Sequence, residues 1–268
     1  MSLAKELRKK SGLELFGVAD AVSYDATAPE GGRARELVPE ARSIVVVGTR
    51  LLDLPLNGLP GTAMEYTADF HMANTRLNEA LFRMAASLQK DGYRAFPVPY
   101  KEMPGWNLEN RPPALMKLLK VVLSSPRTHP LVEGRLRDNL SYRHVAAAAG
   151  LGEIGINNLL LHPEHGPRVR LVALVTDAEM EPSPPLAQKV CKPEECGYAC
   201  VRACPARALA KDGSPTRKAS CLQHYLKLGL PGMSGVRCGL CVKACPAFHT
   251  PERKKHDRLS PVYIPDQP

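Results

Sequence analysis

Three features are missing from this sequence of 268 residues, and each absence excludes a class of protein. No apolar run approaches the roughly eighteen residues that a membrane-spanning helix needs. The N-terminal segment 1–12 is basic but lacks an apolar core and a small-residue cleavage site, so it predicts a first helix rather than a secretion signal. No cysteine precedes Cys191. We therefore expect a soluble, cytoplasmic protein, in which clustered cysteines are metal ligands or catalytic groups more often than disulfides.

Residues 1–180 alternate between short apolar runs and helical patterns. The apolar, β-branched runs predict buried strands at 16–20, 43–49, 94–100 and 168–177. Apolar residues at helical spacing predict helices at 66–91, 113–123 and 141–150, with Gly150 ending the last of them. Helices interspersed with single strands are typical of an α/β or α+β layered domain.

A proline-rich segment separates this part of the chain from the cysteines. The sequence EPSPPLAQK at 181–189 has three prolines within four residues, and proline fixes φ and removes a hydrogen-bond donor. The segment therefore predicts a linker. We expect an N-terminal domain at 1–180 and a small cysteine-rich domain at 181–268.

All eight cysteines follow this linker, in two runs with one cysteine between them. The spacing is Cys191-x4-Cys196-x3-Cys200-x3-Cys204-Pro, then Cys221, then Cys238-x2-Cys241-x3-Cys245-Pro. The bacterial ferredoxin signature is C-x2-C-x2-C-x3-C-P, in which the fourth cysteine serves the other cluster. A short loop wraps three thiolates around one cube, and the next helical turn points the fourth thiolate away.

On this pattern the eight cysteines fill two 4Fe–4S clusters with none left over. One cluster takes Cys191, Cys196, Cys200 and Cys245, and the other takes Cys204, Cys221, Cys238 and Cys241. The gaps in the first run are longer than in the signature. Zinc sites and a disulfide framework are the alternatives. Only Cys238 and Cys241 form a zinc-type C-x2-C pair, and both C-x3-C-P endings favour iron–sulfur.

Residues 150–155 spell GLGEIG, which fits the dinucleotide-binding pattern G-x-G-x-x-G, with Asp177 downstream. That pattern requires a strand before it, whereas the preceding YRHVAAAA is helical, which disfavours nicotinamide binding.

The longer run AGLGEIGINNLLLHPEHGPRVRLVALVTD (149–177) resembles corrinoid-dependent reductases, namely epoxyqueuosine reductase and the reductive dehalogenases. The segments FGVAD (16–20), ARSIVVVG (41–48) and YTADFH (66–71) resemble earlier landmarks of the same group, and KASCLQHYL (218–226) resembles its lone ligand between two cluster motifs.

The resemblance implies a nitroreductase-like corrinoid-binding domain followed by a ferredoxin-like double 4Fe–4S domain. It implies cobalamin that is held without a protein histidine on cobalt. The sequence agrees, because DFHMAN (69–74) has Asn74 where the D-x-H-x-x-G motif has glycine. His71 is therefore predicted to lie on a helix face. The backbone of Gly150, Gly152 and Gly155 would approach the corrin, with a tight helix–turn corner as the alternative. Asp138 and Tyr142 are the candidate proton donors, although the position that matches the aspartate acid of epoxyqueuosine reductases is Leu136.

The resulting hypothesis is an iron–sulfur, cobalamin-dependent reductase of a small electrophile such as an epoxide or organohalide. Its electrons would come from a low-potential donor such as a ferredoxin or flavodoxin. The chain ends soon after the second cysteine run, without the helical-repeat tail that many epoxyqueuosine reductases use for tRNA, so tRNA is the less favoured substrate. A non-catalytic electron carrier for another corrinoid enzyme and a flavin enzyme are the alternatives. The formal charge of +9 and the basic runs at 8–10 and 252–256 predict solvated surface, or contact with an anionic partner.

Overall fold

The computed structural model describes residues 2–100, 114, 140–228 and 236–248. The helices are α1 (Leu3–Ser11), α2 (Ala21–Thr27), α3 (Asp53–Asn57), α4 (Ala63–Lys90), α5 (Tyr142–Ala148), α6 (Ala199–Arg202), α7 (Lys218–Leu228) and α8 (Leu240–Lys243). The strands are β1 (Leu15–Asp20), β2 (Ser43–Arg50), β3 (Ala95–Val98), β4 (Glu153–Ile154), β5 (Leu160–Leu161) and β6 (Val169–Thr176). Two 3-10 turns lie at Ala34–Glu36 and Pro246–Phe248.

A four-stranded sheet in the order β1-β2-β6-β3 forms the centre of the fold. Its described pairings are all antiparallel, with Ser43 opposite Thr176 and Leu15 opposite Gly48. All four strands lie where the apolar runs predicted them. The antiparallel sheet makes this the α+β form of the predicted layered fold.

Helices cover both faces of the sheet. Val45 and Val47 of β2 pack with α4 and α1 on one face, while Ile44 and Val46 pack with α2 and α5 on the other. This alternation follows from the two-residue period of a strand. It explains why β2 is almost continuously apolar although its pairing is antiparallel, because neither face meets water.

The long helix α4 has the apolar stripe that its sequence predicted. Leu77, Leu81, Met84 and Leu88 are buried against the sheet. Full burial of such a side chain contributes roughly 1.5–3 kcal/mol, so the stripe fixes α4 firmly to the sheet. Since α4 continues past the sheet at its N-terminal end, it brings Tyr66 and Phe70 towards the cysteine-rich part of the chain.

Helix α5 ends in a Schellman motif that involves Gly150. The N–H of Leu151 donates to the carbonyl of Ala146 at 2.9 Å, and the N–H of Gly150 donates to Ala147 at 3.0 Å. Gly150 has φ +70°, and a Cβ placed on it would lie 2.0 Å from the carbonyl oxygen of Pro184. The predicted helix end is therefore also a close contact with the proline-rich segment.

The proline-rich segment has no helix or strand, as its composition predicted, but it is attached to the sheet. The N–H of Ser183 donates to the carbonyl of Val18 at 2.9 Å, and the N–H of Val18 donates to Ser183 Oγ at 3.0 Å. The domain boundary at residue 181 stays a prediction. The helix predicted at 113–123 lies outside the described residues, apart from Ala114. Among the described helices, none has the length and hydropathy to cross a bilayer.

Candidate functional site

The two cysteine runs repeat one backbone conformation. In each run a residue with positive φ, Tyr198 (58°) or Gly239 (63°), stands before a four-residue helix. Cys200 and Cys241 are the second residues of those helices, α6 and α8. Cys204-Pro and Cys245-Pro follow the helix ends. The repeat predicted from the sequence is therefore present in the fold, although the first run has one extra residue before its helix.

The first thiol group consists of Cys191, Cys196, Cys200 and Cys245. Burial raises the pKa of Cys245 to about 11, and the nearby Cys200, Cys191 and Cys196 raise it further. Burial also raises the pKa of Cys200, and Cys196 and Cys191 add to that effect. Three thiols of the first run therefore lie close to the last thiol of the second run.

The second thiol group consists of Cys204, Cys221, Cys238 and Cys241. Burial raises the pKa of Cys241 to about 12, and Cys221, Cys238 and Cys204 raise it further. Burial also raises the pKa of Cys238, with an added effect from Cys204. These electrostatic effects are consistent with the two predicted sets of four, and the assignment of the cysteines to two clusters stays a prediction. Their role as ligands is argued under Proposed function.

The donor set fits iron–sulfur chemistry. All eight thiols lack a disulfide partner, and Cys200 and Cys245 are buried. Burial raises the pKa values of Cys200, Cys238, Cys241 and Cys245, and the neighbouring thiols raise them further; bound iron would oppose both effects by supplying positive charge. Within the described residues, no three Cys, His, Asp or Glu side chains surround one ion-sized centre. A 4Fe–4S cube attaches each cysteine to a different iron, so its ligands need not converge on one point.

A cluster of arginine and aromatic side chains lies beside the second thiol group. We call it the arginine–tyrosine cluster, and it consists of Tyr66, Phe70, Tyr100, Arg170, Tyr225 and Arg237. The guanidinium carbon of Arg170 lies 4.0 Å from the centroid of the Phe70 ring, and that of Arg237 lies 4.5 Å from it. Arg237 also donates to the Tyr100 hydroxyl at 2.8 Å. Burial lowers the pKa of Arg170, and the adjacent Arg237 lowers it further, because two cations share this space.

The arginine–tyrosine cluster is coupled to the second thiol group at two positions. Tyr225 lies one turn after Cys221 on α7, and its pKa is raised by burial and then by the charge of Cys221. Burial raises the pKa of Tyr66 to about 12, with Cys241 among the contributing charges. A Cβ on Gly239 would lie 2.6 Å from the Tyr66 ring, so the second cysteine loop packs directly on α4.

Two polar donors without a partner among the described residues lie in the cluster or beside it. These are Nδ2 of Asn74 and Nε of Arg237, both of which are buried. The Oδ1 atom of Asn74 does accept a hydrogen bond from Arg170 Nε at 3.2 Å, which orients its amide. A buried donor that lacks an acceptor is unfavourable by about 1–3 kcal/mol. The arrangement therefore suits a bound molecule rich in acceptor atoms.

The three glycines predicted to approach a corrin all face protein atoms. A Cβ on Gly152 would lie 2.4 Å from the carbonyl oxygen of Leu161, and one on Gly155 would lie 2.7 Å from the Leu161 side chain. Gly150 faces Pro184 in the same way. These glycines permit the tight corner between α5 and β5 that was the alternative interpretation, and their contact with a corrin stays a prediction.

The predicted proton donors are located only in part. The Tyr142 hydroxyl donates to the carbonyl of Pro99 at 2.8 Å, and its ring packs on the core under the sheet. Asp138 lies outside the described residues. His71 lies half-buried on α4 with its ring 5.9 Å from that of Phe70, on a helix as predicted. The catalytic roles of Asp138 and Tyr142 stay predictions.

Sequence reasoning missed the arginine–tyrosine cluster. One signal was available, because Arg170 stands within the valine-rich strand β6, where a charge is rarely found without a partner. Arg237 directly precedes Cys238, which is a second signal. The aromatic members come from α4, the segment after β3, and α7, and no sequence pattern joins those three parts of the chain.

Reductive dehalogenases are among the proteins whose sequences are similar to this chain. A tetrachloroethene reductive dehalogenase of Sulfurospirillum multivorans is 32% identical over 112 residues, which are 38% of this chain and 22% of that protein. One of Desulfitobacterium hafniense is 40% identical over 73 residues, or 26% of this chain and 13% of that protein. This chain thus spans about a fifth or less of their length. No family model matches the chain.

Solved structures of two kinds of reductase share the fold. Epoxyqueuosine reductase from Streptococcus thermophilus has a TM-score of 0.56 and 18% identity, over 91% of this chain and 65% of that one. An epoxyqueuosine reductase bound to an epoxyqueuosine-modified tRNA-Tyr stem loop has a TM-score of 0.54 and 19% identity, over 92% and 65% of the two chains. A reductive dehalogenase described in terms of B12-dependent dehalogenation has a TM-score of 0.60 and 18% identity, over 96% and 33%. The resemblance stated from the sequence is therefore confirmed, and this chain has the mixed α/β fold that epoxyqueuosine reductases and reductive dehalogenases share.

Proposed function

We propose that this protein is an iron–sulfur, corrinoid-dependent reductase that acts on a small electrophile. The observation that carries the proposal is the direct contact between the second thiol group and the arginine–tyrosine cluster. The second thiol group is suited to hold an electron carrier, and the arginine–tyrosine cluster is suited to hold a ligand rich in acceptor atoms. The likeness to dehalogenases and epoxyqueuosine reductases supports the same combination.

Each thiol group holds one 4Fe–4S cluster in this proposal, in a ferredoxin-like arrangement that follows a nitroreductase-like domain. The first thiol group receives electrons from a low-potential donor such as a ferredoxin or flavodoxin. The second group lies between it and the arginine–tyrosine cluster, because Cys241 is near both Cys200 and Tyr66. The exchange of Cys204 and Cys245 between the runs places the two clusters close together, which favours electron transfer between them.

The arginine–tyrosine cluster holds the corrinoid in this proposal. Asn74 Nδ2 and Arg237 Nε are buried donors that would pair with acceptor groups such as amides, and Arg170 adds positive charge. When bound and reduced, cobalamin supplies a strong nucleophile that attacks electrophiles such as epoxides and organohalides. The protein's part is to position this group beside the second cluster, to exclude water with the aromatic rings, and to supply a proton.

The proton donor in this proposal is one of the groups near that space. Asp138 and Tyr142 are the candidates from the sequence, and Tyr66, Tyr100 and Tyr225 are added by the structure. The high pKa of Tyr66 keeps its hydroxyl protonated at neutral pH, as a proton donor requires. A small epoxide or organohalide is the proposed substrate class.

Anaerobic purification followed by metal, sulfide and corrinoid analysis tests the proposal. We expect two 4Fe–4S clusters per chain by iron and acid-labile sulfide, stoichiometric binding of added cobalamin, and its spectral conversion to the reduced form by a low-potential donor. Iron–sulfur clusters without corrinoid binding at micromolar concentration would instead indicate the non-catalytic electron carrier. A bound yellow chromophore would indicate a flavin enzyme, and zinc in place of sulfide would contradict every redox account.

A matched pair of variants locates the corrinoid site. Arg170→Met keeps much of the side-chain volume but removes a donor of the arginine–tyrosine cluster, so cobalamin affinity should fall roughly tenfold or more, equivalent to about 1.4 kcal/mol. Arg42→Met is the control, because Arg42 is exposed and pairs with the exposed Glu179, and neither residue belongs to the arginine–tyrosine cluster. Iron content should be unchanged in both variants. Equal cobalamin affinity in the two would place the corrinoid elsewhere.

A further inference from the structure

The short hairpin β4–β5 of the N-terminal part reaches over to the first thiol group. Its turn is closed by the N–H of Gly155, which donates to the carbonyl of Leu159 at 3.0 Å. Asn158 Nδ2 donates to the carbonyl of Ser214 at 3.0 Å, and the methyl of Ile156 lies near Gly213. The hairpin that begins in the GLGEIG segment is thus attached to the cysteine-rich part.

Glu153 of this hairpin holds the backbone at the first cysteine. The N–H of Val190 donates to Glu153 Oε1 at 2.7 Å, and the N–H of Cys191 donates to the same oxygen. Burial raises the pKa of the Cys191 thiol; a hydrogen bond from the backbone of Ile156 lowers it, and the charge of Glu153 raises it. One hairpin therefore supplies the main-chain anchor and one thiol hydrogen bond of Cys191.

This anchor accounts for the irregular spacing of the first run. Cys191 follows a segment without helix or strand, and four residues separate it from Cys196 where the ferredoxin signature has two. The local chain alone does not fix its position, and the two hydrogen bonds to Glu153 do so from outside. Hydrogen bonds from backbone N–H groups to a carboxylate are charge-assisted and about twice as strong as neutral ones.

We propose that Glu153 is a positioning residue for the first 4Fe–4S cluster and that its fixed negative charge lowers the reduction potential of that cluster. This inference rests on the proposed function, because it requires a cluster at the first thiol group. Reduction adds an electron to the cluster, and a partly buried carboxylate beside a ligand disfavours the added charge. The first cluster would then be the stronger reductant and would pass electrons to the second.

Other charges near Cys191 are exposed to solvent. Glu195 forms an ion pair with Lys192 at 3.3 Å, with side chains 70% and 56% exposed. Glu194 is also exposed and accepts a hydrogen bond from the Tyr198 hydroxyl. Water and salt screen such charges, so their effect on the cluster should be smaller and should decline with ionic strength. Glu195 therefore offers a control with the same change of charge.

The experiment is an anaerobic redox titration of the full chain followed by electron paramagnetic resonance. Glu153→Gln keeps an oxygen that accepts both N–H groups but removes the charge. We expect unchanged iron and sulfide content and a shift of one reduction couple to higher potential, with the other couple unmoved. Glu195→Gln should shift that couple less, and the shift should vanish at high salt. Glu153→Ala, which also removes the acceptor, should lose one of the two clusters.

The outcomes separate this inference from the function on which it rests. Wild-type protein that contains no iron and sulfide overturns both. Wild-type protein with two clusters, combined with a Glu153→Gln variant whose couples are unchanged or both shifted alike, overturns the inference alone. A shift in Glu195→Gln as large as that in Glu153→Gln also overturns it, because a general surface-charge effect would then suffice.

Discussion

The two thiol groups differ in what holds them against the N-terminal part of the protein. The first group is anchored by hydrogen bonds from one hairpin, chiefly through Glu153, and exposed charged residues surround it. The second group is held by packing: Val242 is buried with Leu59 and Tyr66, and Lys243 Nζ donates to the carbonyl of Leu59 at 2.6 Å. In the proposed function, the exposed charges of Lys192, Glu194 and Glu195 beside the first group suit contact with an electron donor, whereas the position of the second group beside the arginine–tyrosine cluster suits delivery to a substrate.

The comparison predicts that Cys245, although part of the second run, belongs functionally to the first group. Cys241→Ala should abolish the second cluster, while Cys245→Ala should abolish the same cluster as Cys191→Ala. The physical reason is that Cys245 lies near Cys200, Cys191 and Cys196. Iron analysis and redox titration of the three variants measure this. If Cys245→Ala removes the couple that Cys241→Ala removes, the assignment is wrong.

Phe248 extends the packed attachment of the second run, and Phe248→Ala should have the largest effect on stability. Its ring is 1% exposed, with the guanidinium carbon of Arg168 at 3.7 Å from the centroid and that of Arg50 at 5.3 Å. Truncation should lower the free energy of unfolding by roughly 3 kcal/mol. Thermal unfolding of the iron-loaded protein measures this. Phe82→Ala is the control, because Phe82 is 74% exposed and should change stability by less than about 0.5 kcal/mol.

A substitution at Gly150 tests how firmly the proline-rich segment, which leads to the first thiol group, is held against the N-terminal part. Gly150→Ala places a Cβ against the Pro184 carbonyl in addition to straining φ, and should destabilise the protein by about 2 kcal/mol. Gly12→Ala is the matched control, since Gly12 has φ +62° and no atom near its Cβ position. Its cost should be about 1 kcal/mol, from strain alone. The free energy of unfolding of both variants is measured by urea titration. Equal decreases in the two variants would show that the proline-rich segment can move away from the added Cβ at no cost.

A pH effect should be the smallest of these changes and should involve the loop of His162, in which Gly166 lies close to the backbone of Phe248. Burial lowers the pKa of His162 below 6.5, and the stacked His165 lowers it further. The unfolded chain therefore takes up a proton first as the pH falls, so stability present above about pH 6.5 is lost below it. Neutral His162 Nδ1 accepts a hydrogen bond from the N–H of Glu164, which protonation would break.

Urea unfolding at pH 7.5 and pH 5.5 compares the wild type with His162→Gln. We expect the free energy of unfolding to change less with pH in the variant than in the wild type. The two changes should differ by about 1 kcal/mol or less. Some slope should remain, because burial also lowers the pKa of His144. A variant with the same slope as the wild type would show that His162 is not the group that titrates.

The sequence predicted the regular elements well because they depend on local patterns. The run SIVVVGT predicted β2, and the Cys-Pro endings marked the two cysteine runs, whose assignment to clusters stays a prediction. The pairing order of the strands and the role of Arg170 depend on contacts between distant segments, which periodicity does not encode. Glu153 illustrates the limit most clearly: its motif was recognised, but its hydrogen bonds to Val190 and Cys191 cross 37 and 38 positions of the chain.

The paired hydrogen bonds between Ser183 and Val18 have a consequence for kinetics. β1 is an edge strand of the four-stranded sheet, and these hydrogen bonds attach the proline-rich segment to that edge. The segment that leads to the cysteines is thereby fixed to the sheet and is not a free tether. If the thiol groups hold the two proposed clusters, the rate of electron transfer between them should be insensitive to solvent viscosity.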